Sequence, residues 1–289
     1  RVVVDPESNA ITSVTHTSIT TAGAGNVIGL DAVMLTATTC VLAYSINGTV
    51  YAKLLSGLDV GVTQNAELSV ASSDSCTIDK VSATELVCAY YLAADKVQAK
   101  QITVSGTTLS NGTTSTVFST ATTQTVSSIK AFSGTSTYMV LFSDATTLRA
   151  IAGTYSAGAL TVGTEITLEA FLAYTSFILT HSATKSVAGY TRNSSGAVSS
   201  SVISLSGTTT LTEGATLAIG TQAGGQQASF HKIGTYSFLV SYPETSGTEA
   251  YDVFFVFQTP GVESEVPFPP TDSLNDDVRT RAGIAAPLG

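Results

Sequence analysis

A unit of close to 50 residues recurs along this chain, and the recurrence limits the possible folds more than any single motif does. Each copy has a short apolar segment, a small polar turn, and a strand ending in an aromatic. The strand cores are Val41-Leu42-Ala43-Tyr44, Val87-Cys88-Ala89-Tyr90, Met139-Val140-Leu141-Phe142, Val187-Ala188-Gly189-Tyr190 and Leu239-Val240-Ser241-Tyr242. Their aromatics are 46, 52, 48 and 52 residues apart. Two further markers run in phase. Gly61, Gly112, Gly163 and Gly214 are each separated by 51 residues. A small-residue turn precedes each of them, at Ser56-Gly57, Ser105-Gly106, Ser156-Ala157-Gly158 and Ser206-Gly207. Three markers with one period describe one supersecondary unit copied in tandem.

Each unit reads as four strands. In the second copy they are Thr77 to Val81, Leu86 to Tyr91, Val97 to Val104 and about Thr114 to Ser119. The Ser-Gly-Thr-Thr turn joins the last two as a glycine hairpin. No window sustains a 3.6-residue period, so almost no helix is expected. Four-stranded units of roughly 40–50 residues set around an axis make a β-propeller. A β-sandwich would not repeat one unit five times, and a linear solenoid leaves edges that ring closure removes. The expectation is therefore an all-β chain: a β-propeller of five four-stranded blades over residues 1–259. Six blades stay open, because Arg1-Val2-Val3-Val4 is left over. The fifth copy has strands at Ser229 to Ile233, Phe238 to Tyr242 and Tyr251 to Phe257, but no fourth. Residues 10–20 stand where that strand belongs, so an N-terminal strand is predicted to close the ring.

Residues 260–289 have a different character. They hold five of the seven prolines, and five acids against Arg279 and Arg281. Proline lacks the N–H that a ladder needs, so this stretch cannot add a central strand. Its apolar residues, such as Val262, Val266, Phe268 and Leu288, are scattered. Alone they cannot offset about 1–2 kcal/mol of backbone entropy per residue. An extended arm that lies on another surface is expected, with other subunits of a large assembly as its partners. Phe268, between Pro267 and Pro269, is the only aromatic in the arm and the expected anchor.

Composition excludes several classes of function. Only 11% of residues are charged, against an average of about 25%. The net charge of −9 leaves no clustered basic stripe for nucleic acid. The longest strongly apolar run, Val253 to Phe257, falls far short of the roughly 20 residues of a membrane helix, so no membrane span is expected. Residue 1 is Arg and no signal peptide is visible, so either the start is cleaved or the chain belongs to something longer. Cys40, Cys76 and Cys88 have no CxxC spacing and read as small buried hydrophobes, with one disulfide and an odd thiol as the alternative. The sequons at Asn47, Asn111 and Asn193 mark loops.

The chemistry is sparse. No GxSxG, HExxH, P-loop or EF-hand spacing occurs. The glycines of residues 23–29 have the wrong spacing for a dinucleotide loop and read as a connection between blades. His16, His181 and His231 fall in three different copies, so no metal and no cofactor are expected, and no enzyme. Asp31 and Asp79 lie on innermost strands, where a glycosidase would set two carboxyls about 5–10 Å apart. The other copies offer no acid there, so solvated strand-start residues are the plainer reading. Propeller lectins repeat an aromatic and polar set that favours Trp, and Trp is absent. The repeated aromatics therefore read as packing between blades. One constellation stands apart. Aligning Asp79-Lys80-Val81, Ile129-Lys130-Ala131 and His231-Lys232-Ile233 puts three of the twelve basic residues at one place in the unit. Lys80, Lys130 and Lys232 would then line the axial channel, where an anion or acidic partner could bind. The plainer reading is solvated side chains at strand edges.

The VLAY- and VCAY-type strand cores and the SGTT hairpins, over about residues 10–257, resemble the threonine-rich propeller repeats of tail, fibre and other virion proteins of tailed bacteriophages, and of related bacterial surface proteins. The resemblance implies a non-enzymatic structural or receptor-binding role in a multi-copy assembly on a virion or extracellular surface. The 46 Thr and 36 Ser suit such an exterior. The alternative is a secreted carbohydrate-active propeller, a lectin before a glycosidase, with a cell-surface glycan as partner.

Overall fold

The computed structural model describes residues 2–4, 11–14, 19, 25 and 27–255, the last span with breaks at 60, 93–95, 119–124, 133–134, 144–145, 157–158, 171–172, 193–194, 222–227, 233–236 and 244–248. Strands β1 (Val2–Val4) and β2 (Ile11–Val14) form an antiparallel ribbon. The first sheet follows as β3 (Val27–Thr36), β4 (Thr39–Ile46), β5 (Thr49–Ser56) and β6 (Thr63–Ser72). The second is β7 (Cys76–Lys80), β8 (Glu85–Leu92), β9 (Lys96–Ser105) and β10 (Thr108–Phe118). The third is β11 (Thr125–Ala131), β12 (Thr137–Ser143) and β13 (Leu148–Ser156), with both β14 (Ala159–Val162) and β15 (Ile166–Glu169) paired to β13. The fourth is β16 (Ala173–Thr180), β17 (Lys185–Arg192), β18 (Ala197–Ser206) and β19 (Thr210–Thr221). The fifth is β20 (Ser229–Lys232), β21 (Ser237–Pro243) and β22 (Glu249–Phe255). Among the described residues every pairing is antiparallel, all but that of β13 with β15 join strands adjacent in sequence, and no helix occurs.

Local chemistry explains the strand ends. Asn47 and Gly48, both at positive φ (51° and 74°), make the two-residue turn from β4 to β5. That conformation favours Asn-Gly because its twist matches the flanking strands. Gly106 and Gly207 have φ of 58° and 63° at the turns into β10 and β19, where the sequence places its Ser-Gly hairpins. The 51-residue glycine marker has a structural meaning as well. Gly112 and Gly214 sit at register shifts in β10 and β19, and Gly163 separates β14 from β15. The fourth strand of each of these sheets is bulged or broken at that glycine, as such residues allow.

The core lies in slabs between successive sheets. Leu86, Cys88 and Tyr90 on β8 pack with Val41, Ala43 and Val50 of the first sheet. Val87 and Ala89, one step along, pack with Val140, Phe142 and Ile151 of the third. The same alternation recurs where Met139 and Leu141 meet Ala188 and Tyr190, and where Val187 meets Phe230 and Val240. The second strand of a sheet is thus buried on both faces, and so reads as a continuous apolar run. The first strands touch in order, β3 to β7, β7 to β11, β11 to β16 and β16 to β20. Sheets stacked face to face, with their first strands side by side, are a β-propeller.

Three details depart from the sequence reading. The outer strand of the second sheet begins at Thr108 rather than Thr114, so Asn111 lies within β10 and not in a loop; its amide donates to Ser69 O at 2.9 Å. The glycine-rich connection ends earlier than expected, because Val27 to Gly29 belong to β3, with a bulge by Gly29 at φ 60°. Among the described residues Ile11–Val14 is paired with Val2–Val4, and β20, β21 and β22 pair with one another. The arm at 260–289, with Phe268, lies outside the described residues.

Candidate functional site

The first strands carry the polar groups that sequence pointed to, and they are joined to one another. Asp31 on β3 accepts through Oδ2 from Thr77 Oγ1 at 2.6 Å and from the Ile78 amide at 3.0 Å, both on β7. Its Oδ1 accepts from the Ala32 amide at 2.8 Å. Thr77 Oγ1 in turn accepts from the Ile129 amide on β11 at 3.3 Å. Side chain to next-sheet backbone, this chain of contacts crosses three sheets. Replacing Thr77 by Val removes the donor to Asp31 and the acceptor for Ile129 while keeping the shape. The expected cost is about 1–2 kcal/mol, read as a lower urea midpoint at unchanged slope, with Thr77→Ser close to the parent.

Lys80, Lys130 and Lys232 are not one repeat position. In the pairing ladder Lys80 faces Leu86 and Lys232 faces Phe238, each four residues before its sheet's aromatic. Lys130 faces Met139, three before Phe142. Six residues, 132–137, separate Ala131 from its partner Tyr138, against five, 81–85, between Lys80 and its partner Leu86, so Ala131 is the counterpart of Lys80. One step along a strand turns a side chain to the other face. Lys130 is instead the counterpart of Asp79, and these two meet at 3.6 Å across the second and third sheets. Lys80 donates to Leu35 O on β3 at 3.4 Å. The side chain of Lys232 is outside the described residues. Asp31 and Asp79, weighed as a catalytic pair, are each held by donors of a neighbouring sheet.

A second set of polar groups sits farther out, around the repeated aromatics. Tyr44 donates to Glu67, which also pairs with buried Lys53 at 3.2 Å. Tyr90 donates to Gln98 at 3.0 Å with Lys100 above its ring, and burial pushes its hydroxyl up to about 12. Tyr190 donates to Glu169 at 3.0 Å and lies 3.2 Å from Ser201 Oγ. Arg192 also binds Glu169, and Ser201 donates to Glu213 at 2.7 Å. Register makes Lys53, Lys100, Ile151 and Ser201 one position, opposite Leu42, Cys88, Val140 and Ala188. In the third sheet the aromatic is Phe142 and that position is Ile151. The hydroxyl and its polar neighbour disappear together, since a buried polar group without a partner is costly.

Between the second and third sheets, Tyr155 donates to Glu85, and Gln101 Nε2 donates to Tyr155 at 2.7 Å. Sequence reading missed Glu67, Glu85, Gln101 and Glu169. The signal present was the joint change from Tyr to Phe and Lys to Ile between copies. The three cysteines are free and buried. Burial, with Asp31 nearby, pushes the Cys76 thiol up to about 12, and its Sγ donates to Gly29 O at 3.1 Å. Among the described residues no group of three His, Cys, Asp or Glu is placed to hold a metal ion.

No family model matches the chain, and no curated protein matches it in sequence. Solved structures match in shape. A protein from Lactobacillus plantarum aligns at TM-score 0.57 and 10% identity, covering 86% of this chain and 75% of its own. The SapL1 lectin in complex with α-methyl fucoside aligns at 0.55 and 13%, covering 78% and 76%. A putative 6-phosphogluconolactonase from Bacteroides fragilis aligns at 0.55 and 12%, covering 88% and 76%. At such identities the likeness is one of fold, and the fold shared with these proteins is the β-propeller.

Proposed function

We propose that this chain is a non-catalytic β-propeller that serves attachment or assembly in a virion or extracellular surface structure. The observation that carries the reading is how its carboxylates are used. Asp31, Asp79, Glu67, Glu85, Glu169 and Glu213 each accept from a hydroxyl, amide or cation within or between sheets. Acid–base chemistry needs a carboxyl able to exchange a proton with a substrate; these serve as cross-ties that stiffen the stack. A rigid scaffold with Ser/Thr-rich outer strands suits presentation of a surface. The arm at 260–289 is the part suited to joining copies. Deleting residues 260–289 is expected to leave a folded, soluble propeller with unchanged circular dichroism that no longer co-sediments with its assembly. A truncated chain that assembles normally would overturn the reading.

A carbohydrate-binding propeller is the second reading. Its support is the cluster of Glu169, Tyr190 and the partly exposed Arg192 at a sheet-to-sheet border, together with the fold likeness to SapL1. Binding of methyl glycosides that is lost in Arg192→Ala but kept after deletion of the arm would favour it over the first.

A further inference from the structure

The seam between the third and fourth sheets buries two hydroxyls whose counterparts between the first and second sheets are satisfied. By register, Ser176 on β16 and Cys76 on β7 hold one place, opposite Tyr190 and Tyr90. Ser143 and Ser45 hold another, each directly after the aromatic of its strand core. In the first seam Ser45 Oγ donates to Ser73 O at 2.5 Å. Cys76 Sγ donates to Gly29 O at 3.1 Å, within the register shift of β3. In the later seam Ser143 is 0% exposed and Ser176 3%. Neither hydroxyl has a hydrogen-bond partner among the described residues. Two buried hydroxyls left so are costly, and each calls for a partner.

The repeat explains why the partners differ. Ser73 precedes β7, so its carbonyl lies in a connection outside the ladder. The residue at the same distance before Ser176 is Ala173, which is already within β16 and paired with Arg192. Ser143 therefore meets no connector carbonyl of the kind that serves Ser45. β11 carries a register shift between Val126 and Ser128, the counterpart of the one in β3, and β11 and β16 touch. Such a bulge leaves one residue out of the ladder. Cys76 reaches the corresponding carbonyl with a large sulfur on a long bond, and the shorter hydroxyl of Ser176 does not. Both serines open into one slab. Ser143 lies two residues after Leu141 and Ser176 two before Ile178, and Leu141 and Ile178 belong to one cluster. Two hydroxyls and a bulge carbonyl supply the roughly three hydrogen bonds that a buried water makes. One water links oxygens that stand about 5.5 Å apart, too far for direct contact.

We propose that this seam binds one water molecule, held by Ser143 Oγ, Ser176 Oγ and a backbone carbonyl of the β11 bulge at 126–128. The site ties the third sheet to the fourth where Ser45 and Cys76 tie the first to the second directly. Two measurements on the full chain test it. A crystal structure of the parent is expected to show a water within about 3.2 Å of both hydroxyl oxygens. In solution, oxygen-17 relaxation dispersion counts internal waters that exchange slowly. The double variant Ser143→Ala with Ser176→Ala, its fold checked by circular dichroism, is expected to hold one such water fewer than the parent. An unchanged count in the folded double variant would overturn the site. So would a parent crystal in which no water touches both hydroxyls, or in which they donate directly to carbonyls. The crystal measurement decides alone if the double variant does not fold.

Discussion

Gly189→Val is expected to lower the thermal midpoint by about 6–12 °C, the consequence of about 3 kcal/mol lost from a chain of this size. Gly189 lies on β17 where the other sheets carry Ala43, Ala89 or Leu141 in the strand core. The ring of Phe230 on β20 packs against it, and a Cβ built there would stand 2.4 Å from Phe230 Cε1. Phe230 is itself buried and tilted against Phe177, with ring centroids 5.5 Å apart, so the ring has no space to retreat. A branched side chain must therefore push the fourth and fifth sheets apart. Gly189→Val combined with Phe230→Ala should recover part of the loss, because the two residues share one space. Calorimetry of the four proteins of this cycle measures it. Equal midpoints for Gly189→Val and the parent would show that the two sheets do not meet at this ring.

Glu67→Ala is expected to cost about 3–5 kcal/mol, the range for removing one partner of a buried ion pair. Lys53 is 7% exposed, and Glu67 receives both its ammonium and the Tyr44 hydroxyl. Without the carboxylate both groups lose an acceptor within the sheet. The third sheet supplies the control, since it builds the same location from Phe142 and Ile151. Tyr44→Phe, Lys53→Ile and Glu67→Val together should therefore be much more stable than Glu67→Ala alone, within about 1–2 kcal/mol of the parent, as replacing a whole buried polar set by apolar groups allows. Urea unfolding followed by tyrosine fluorescence compares Glu67→Ala with the parent, and far-UV circular dichroism follows the triple variant. A triple variant as unstable as the single one would mean that the first and third sheets do not share one packing solution.

Much of the architecture was legible in the chain because a repeat reports itself. The strand-core aromatics and the Ser-Gly hairpins mark β4, β8, β12, β17 and β21 and the turns into β10 and β19, and the structure has them there. Propensity and turn chemistry act locally, so neighbouring residues reveal them. The errors came where pairing rather than proximity decides. Lys80 and Lys130 look equivalent when lysines are matched by eye, yet a turn one residue longer shifts the register and gives Lys130 to Asp79. Asn111 looks like a loop residue but lies in a bulged strand. The polar ties were hidden for a similar reason. Glu85 and Tyr155 are 70 residues apart, and Asp31 and Thr77 are 46 apart. Hydrogen bonds of this kind form only after sheets have stacked, and nothing in a single strand specifies which neighbour its carboxylate will reach. The sequence alone determined a tandem β unit, its hairpins and its both-face-buried strands, through periodicity and side-chain volume. Only the tertiary structure decided which polar groups meet, because that depends on the stacking of sheets far apart in the chain.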